Sequence, residues 1–269
     1  RGAVQVIGAP PVGSPPTIAQ APRPMAARLS ALQVLTGAIL GCAACTAARA
    51  PAGERSRRVV GVGPLDARIL IVGAAPGAEE EKAGEPFVGP AGRRLDSWLT
   101  AAGIDRQTVR IQNALACRPV APGARSGEKN RPPETAERAA CRPHALAQIE
   151  IVSPRVIVCV GSHAAAIFKS HTSDLSDLGR VFHAVPDGTT ELRVSPVAVA
   201  LVPNFTARRG QLAEATTAGA ARLVGCYHPS YVMRLERERS IKAEPANAQA
   251  ISVLRAANDM SERSGDDHG

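Results

Sequence analysis

Residues 67–77 read ARILIVGAAPG: a strand-length apolar run that passes directly into a turn of small residues. An unbroken Ile-Leu-Ile-Val run, without polar alternation, fits a strand covered on both faces, as in parallel sheets. Three more apolar runs of strand length follow, Val109–Ile111, Val156–Val160 and Leu223–Tyr227, which with the first run Ala67–Val72 make four. Segments with helical pattern lie between them. In Ala91–Ala102 the residues Leu95, Trp98, Leu99 and Ala102 fall on one face at helical spacing. Pro132-Pro133-Glu134 opens a second helix running to about Val152, with proline in the first turn, where its missing N–H costs nothing. Strands alternating with helices across crossovers of this length predict an α/β fold, a parallel sheet with helices on both faces.

The chain has 269 residues, with a formal net charge of +8 and aromatic residues at only 3%. The charge suits a polyanionic partner, and it equally suits an Arg-rich, Ala-rich composition with no such partner. Residues 1–24 are studded with proline and read as a disordered tail; residues 263–269 read as another. One domain is expected over residues 25–262, with an insertion near residues 182–221. Within that insertion Val194–Val202 has the pattern of an extra strand, and Arg208–Ala221 that of an exposed helix or loop. The longest apolar stretch, Leu35 to Ala48, is too short to span a bilayer. The expectation is a monomeric cytoplasmic protein without a membrane role.

In an open parallel sheet, ligands bind at the carboxyl ends of the strands, and the unusual residues collect there. The first strand runs into Gly73-Ala74-Ala75-Pro76-Gly77, then Glu79-Glu80-Glu81 and Pro86-Phe87-Val88-Gly89. The second ends on Asn113, the third on Gly161-Ser162-His163, the fourth on Tyr227-His228-Pro229-Ser230. Taken singly, Phe87 reads as core, Asn113 as a turn cap and His228 as a satisfied structural histidine. Four strand ends bearing a glycine turn, an Asn, a phosphate-type helix start and His-Pro-Ser read as a site. The Walker and Rossmann phosphate loops are missing, which argues against an ordinary nucleotide binder.

The runs GAAPGAEEEKAGEPFVGPAGRRLDSWL (73–99), IQNALACRP (111–119), CRPHALAQIEIVSPRVIVCVGSHAA (141–165) and YHPSYVMR (227–234) resemble the family-four uracil-DNA glycosylases. These are the iron–sulfur branch of the uracil-DNA glycosylase superfamily. The resemblance implies a three-layer α/β/α sandwich around a central, mainly four-stranded parallel sheet. It also implies a DNA-repair enzyme that flips uracil out of single- or double-stranded DNA and hydrolyses its N-glycosidic bond, leaving an abasic site. By resemblance Phe87 stacks on the extruded base and Asn113 reads its amide edge. His228 faces the uracil O2, where charge develops as the bond stretches. Gly73, Ala74, Ala75 and Glu80 line the substrate, Glu80 at the position that helps refuse thymine. Gly161, Ser162, His163 and Ser230 take backbone phosphates, and Tyr231, Val232 or Met233 supplies the wedge that fills the gap left by the flipped base. Members of the family usually carry a carboxylate where this chain has Ala74. Its loss leaves three readings: His228 and the field of the site suffice, Glu80 or Glu81 substitutes, or the chain is a weak enzyme that binds uracil and abasic sites. A broader deaminated-base scope is a further alternative.

Cys159 and Cys226 lie within apolar strand runs and read as small buried hydrophobes. Cys42 and Cys45 form a Cys-x-x-Cys, while Cys117 and Cys141 each precede Arg-Pro. Four thiolates suit either zinc or iron–sulfur chemistry. The resemblance implies a structural [4Fe–4S] cluster on Cys42, Cys45, Cys117 and Cys141.

Overall fold

The computed structural model describes residues 24–45, 57–121, 130–168, 197–199 and 221–262. Its sheet has five strands, β1 (Ile69–Gly73), β2 (Arg110–Asn113), β3 (Val156–Val160), β4 (Val197–Val199) and β5 (Ala221–Cys226), in the order β2-β1-β3-β5-β4. The first four in that order are parallel, and β4 lies antiparallel at the edge beside β5. The helices are α1 (Met25–Gly41), α2 (Ala78–Ala83), α3 (Pro90–Ala101), α4 (Thr135–Val152), α5 (Ser162–Ala165), α6 (Pro229–Arg237) and α7 (Ala243–Glu262).

Strand residues alternate between two faces, and each face has its own core. Ile69, Ile71, Val156 and Val158 pack with Leu95, Trp98 and Leu99 of α3 and Val253 and Leu254 of α7. Leu70, Val72, Ile157 and Cys159 pack on the other side with Ala145 and Ile149 of α4 and Ala164 of α5. This is the expected three-layer sandwich. Cys159 and Cys226 are fully buried, one in each core. Trp98, the sole tryptophan, is fully buried in the first core, its indole N–H donating to Asn247 Oδ1 at 2.5 Å.

The structure shifts several expected boundaries. β1 starts two residues later and reaches Gly73, and β5 runs from Ala221 and stops at Cys226, leaving Tyr227 outside the sheet. Helix α4 begins only at Thr135, so both prolines precede it. Its N-cap is Glu134, whose N–H donates to Glu137 Oε2 at 2.9 Å in a capping box. Glu79 and Glu81, expected on a solvated loop, instead lie with Glu80 in the first turn of α2. The strand expected over Val194–Val202 is the three-residue β4. The rest of that expected strand, most of the insertion and both terminal tails lie outside the described residues.

Buried Arg28 fixes α1 against the body of the fold. Its guanidinium donates to Ile151 O at 2.7 Å and also to Val152 O and Leu65 O. It thereby takes up carbonyls left unpaired at the C-terminus of α4. No helix among the described residues is long and apolar enough to cross a membrane.

Candidate active site

The carboxyl ends of β1 and β2 meet in register, with Gly73 opposite Asn113. A Cβ on Gly73 would lie 2.5 and 2.6 Å from Phe87 Cε2 and Cζ, and closer still to Asn113 Oδ1. The absence of a side chain is therefore what lets the phenyl ring and the carboxamide sit side by side. Phe87 itself adopts a positive φ of 56°, a conformation that is strained for a non-glycine residue. Two contacts hold it there. Arg106 donates to Phe87 O at 3.1 Å, and Gly92 leaves room for that carbonyl where any Cβ would collide.

Glu80 is buried and ties the segments on either side of it. Its Oε2 accepts from Gly77 N at 3.0 Å and its Oε1 from Gly89 N at 2.8 Å. One carboxylate thus caps α2 and pins the loop that carries Phe87. Glu81 is also no solvated loop residue, since it pairs with the buried Arg118 at 3.3 Å. Exposed Glu79 pairs with Arg93 at 3.5 Å.

His228 is the N-cap of α6, and its Nδ1 accepts from Ser230 N at 3.2 Å. An imidazole nitrogen that accepts cannot carry the proton, so neutral His228 carries it on Nε2. Burial lowers the pKa of this histidine from 6.5 to about 4, with neighbouring His163 adding to the effect and Glu80 opposing it. Around neutral pH it is an uncharged N–H donor. Gly161, at φ 86°, stands where a Cβ would come within 3.0 Å of His228 Cβ. The rings of Phe87 and His228 lie 6.3 Å apart, tilted by 36°.

These groups share one cavity of about 490 Å³, lined by Glu80, Phe87, Asn113, His228 and Met233 among others. A second cavity of about 660 Å³ adjoins it and shares Ala75, Asn130, His228 and Ser230. Ala74, Gly161, Ser162, His163 and Tyr231 line this second one. Burial and Arg138 lower the pKa of His163. The expected phosphate-type helix start at Gly161 is short, as α5 has only four residues.

The wedge candidates separate. Val232 is fully buried in the core and cannot reach DNA, because its position on α6 faces the sheet. Tyr231 stacks on Tyr227, has the Arg234 guanidinium carbon 5.3 Å from its ring centroid, and lines the larger cavity rather than the smaller. Met233 alone of the three lines the smaller cavity. The sequence reading also missed Asn130, which lines both cavities and whose Oδ1 accepts from Arg118 Nε at 2.6 Å. Its only sequence signal is its place just before Arg131-Pro132-Pro133 at the start of a helix.

Cys42 and Cys45 follow α1, Cys117 follows β2 and Cys141 sits in α4; all four are free thiols. Cys45 packs against Cys117. Burial pushes the Cys117 thiol up to about 12, with Arg58 opposing and Cys141, Cys45 and Cys42 each adding, so the four lie within electrostatic reach of one another. Burial likewise pushes Cys141 up to about 11. Arg58 also donates to Cys42 O. Among the described residues, no three His, Cys, Asp or Glu side chains are grouped closely enough for a single metal ion.

A model of the uracil DNA glycosylase superfamily matches residues 60–254. The chain is 41% identical over 144 residues to a type-4 uracil-DNA glycosylase of Thermotoga maritima, covering 54% of this chain and 69% of that protein. It is 35% identical over 154 residues to a type-4 uracil-DNA glycosylase of Archaeoglobus fulgidus, covering 57% and 71%. A third type-4 uracil-DNA glycosylase, of Sulfurisphaera tokodaii, is 38% identical over 129 residues, covering 47% and 55%.

Proposed function

The chain belongs to the uracil DNA glycosylase superfamily, and from that premise we propose that it flips uracil out of DNA, hydrolyses the N-glycosidic bond and leaves an abasic site. The observation that carries the reading is the convergence of Phe87, Asn113 and His228 on one cavity about 490 Å³ in volume. An aromatic face stacks on the base, and a carboxamide offers the donor and acceptor that an imide edge needs. His228 supplies an uncharged N–H toward the O2 of the departing base. Such a preorganised donor is worth on the order of a hundredfold or more in rate.

Uracil leaves as an anion, so the step needs no general acid to protonate the departing base. With Ala74 in place of a carboxylate, the water that completes the reaction is handled by what remains near the cavity. Glu81 is engaged by Arg118. Glu80 lines the cavity and, with both oxygens bonded to backbone amides, is a fixed negative charge rather than a mobile base. Its fixed charge would favour the sugar cation, and its place in the cavity lining supports the role in refusing thymine that the resemblance implies. Ser230 and the residues of the second cavity take the flanking backbone.

The thiols of Cys42, Cys45, Cys117 and Cys141 fit a [4Fe–4S] cluster better than zinc. A cluster binds each thiolate to a different iron, so its ligands stand wider apart than those of a single ion. Bound there, the cluster would supply no chemistry to the reaction and would tie α1 and the segment after β2 to α4.

The test is alkali-revealed cleavage of a labelled uracil oligonucleotide in excess EDTA, comparing the unaltered protein with His228→Ala. Multiple turnovers, largely lost in the variant, are expected. Tight retention of the uracil strand without cleavage would overturn the enzyme reading and leave a lesion-binding protein.

A further inference from the structure

The second cavity contains a stack of flat groups that uracil recognition does not use. Tyr227 and Tyr231 stack with ring centroids 5.3 Å apart and 23° between their planes. The Arg234 guanidinium carbon lies 5.3 Å from the Tyr231 centroid, on α6 three residues further on. All three line the cavity of about 660 Å³, together with Arg131 and Pro132. That cavity shares His228, Ser230 and Asn130 with the cavity of Phe87 and Asn113, so the two are neighbours along the surface. Arg234 is exposed and ends the stack.

A cation meant only for phosphate gains nothing from resting over an aromatic ring. Ordering an exposed arginine costs side-chain entropy, and here the contact with Tyr231 offsets part of that before DNA arrives. A guanidinium plane with one face on a tyrosine presents the other to a base, and arginine planes stack on unpaired bases.

We propose that Arg234, carried on the Tyr231–Tyr227 stack, is a stacking platform for the base next to the extruded uracil in the same strand. The site then accepts two consecutive nucleotides, the second with its base unpaired, which favours single-stranded or locally opened DNA. This rests on the uracil-excision reading and specifies what lies beside the uracil.

Single-turnover titrations with a one-uracil oligonucleotide give apparent affinity and rate separately. The neighbouring nucleotide is replaced, on the 5′ side and then the 3′ side, by a tetrahydrofuran spacer that has no base. With the unaltered protein, the spacer on one side weakens affinity about tenfold, the scale of one base on an aromatic or arginine platform. Arg234→Lys keeps the charge and loses the plane. It weakens affinity for the normal strand to the same level, and the spacer then makes no further difference. 2-Aminopurine at that position is quenched on binding the unaltered protein and not on binding Arg234→Lys. The proposal is overturned if Arg234→Lys matches the unaltered protein, if the spacer weakens both proteins equally, or if neither side shows an effect. Tyr231→Leu, which removes the support beneath Arg234, repeats the comparison in a second variant. Uracil release from the normal strand is scored throughout, so failure of the excision reading shows as no release anywhere.

Discussion

The cavity of Phe87, Asn113 and His228 and the cysteine corner are built by opposite means. In the cavity, position comes from the backbone: Gly73 makes room, Phe87 holds a strained φ, two amides fix Glu80, and Ser230 N sets the His228 tautomer. In the corner, four thiols from three separate segments are brought together, with Cys117 and Cys141 pushed up by burial and the cation of Arg58 set among them. Such thiols add little by packing alone, whereas deprotonated and bound to iron they would cross-link those segments. The difference teaches that the cavity is set by its own hydrogen bonds, while the corner would contribute to stability through the cluster proposed for it.

The comparison is broken most severely at His228. His228→Ala should lower single-turnover excision on the order of a hundred- to a thousandfold while uracil-DNA affinity changes little. Equal losses of rate and affinity would mean that the histidine only binds. Gly73→Ala comes next. Its methyl drives into the Phe87 ring and Asn113, so excision should fall on the order of a hundredfold with the melting temperature nearly unchanged. Cys117→Ser tests the other region. It should abolish the visible absorbance of purified protein and lower the melting temperature on the order of 10 °C, while uracil excision at low temperature survives in the folded fraction. A variant that keeps both absorbance and melting temperature would remove Cys117 from the ligand set. Glu80→Gln is milder, because an amide cannot accept from both Gly77 N and Gly89 N, and about 1–3 kcal/mol of stability should be lost in chemical denaturation.

The smallest effect is on pH dependence. His228 has its folded pKa lowered from 6.5 to about 4, so its neutral donor form persists well into acid. Excision limited by this group should stay flat from about pH 8 to about pH 5 and fall near 4; a fall centred on 6.5 would place its ring in open water. The sign for stability is the same. Between 6.5 and 4 the unfolded chain binds a proton that the folded chain does not, so this contribution is complete above 6.5 and is lost as pH falls toward 4.

β1 and β3 were legible because they are continuous apolar runs, whereas β2, Arg110–Asn113, is polar at three of its four residues and overlaps the expected run Val109–Ile111 at only two. The candidate residues stood out as unusual residues at or after strand ends, and Phe87, Asn113 and His228 line one cavity. What escaped depended on side chains reaching across the sequence. Glu80 was legible only through the resemblance, because its bonds to Gly77 and Gly89 leave no trace in composition. Val232 sat inside a motif, and only its phase on α6 showed that it faces the core. Asn130 is held by Arg118, twelve residues away across a loop, a distance no periodicity reports.

Trp98 gives the fold a built-in optical probe. Being the only indole, fully enclosed between α3, α7 and the sheet, it lines neither of the two cavities. Its emission should be blue-shifted in the native state, indifferent to added DNA, and shifted red on denaturation. Unfolding can therefore be followed by fluorescence with substrate present, which separates a variant that has lost its fold from one that has lost its chemistry.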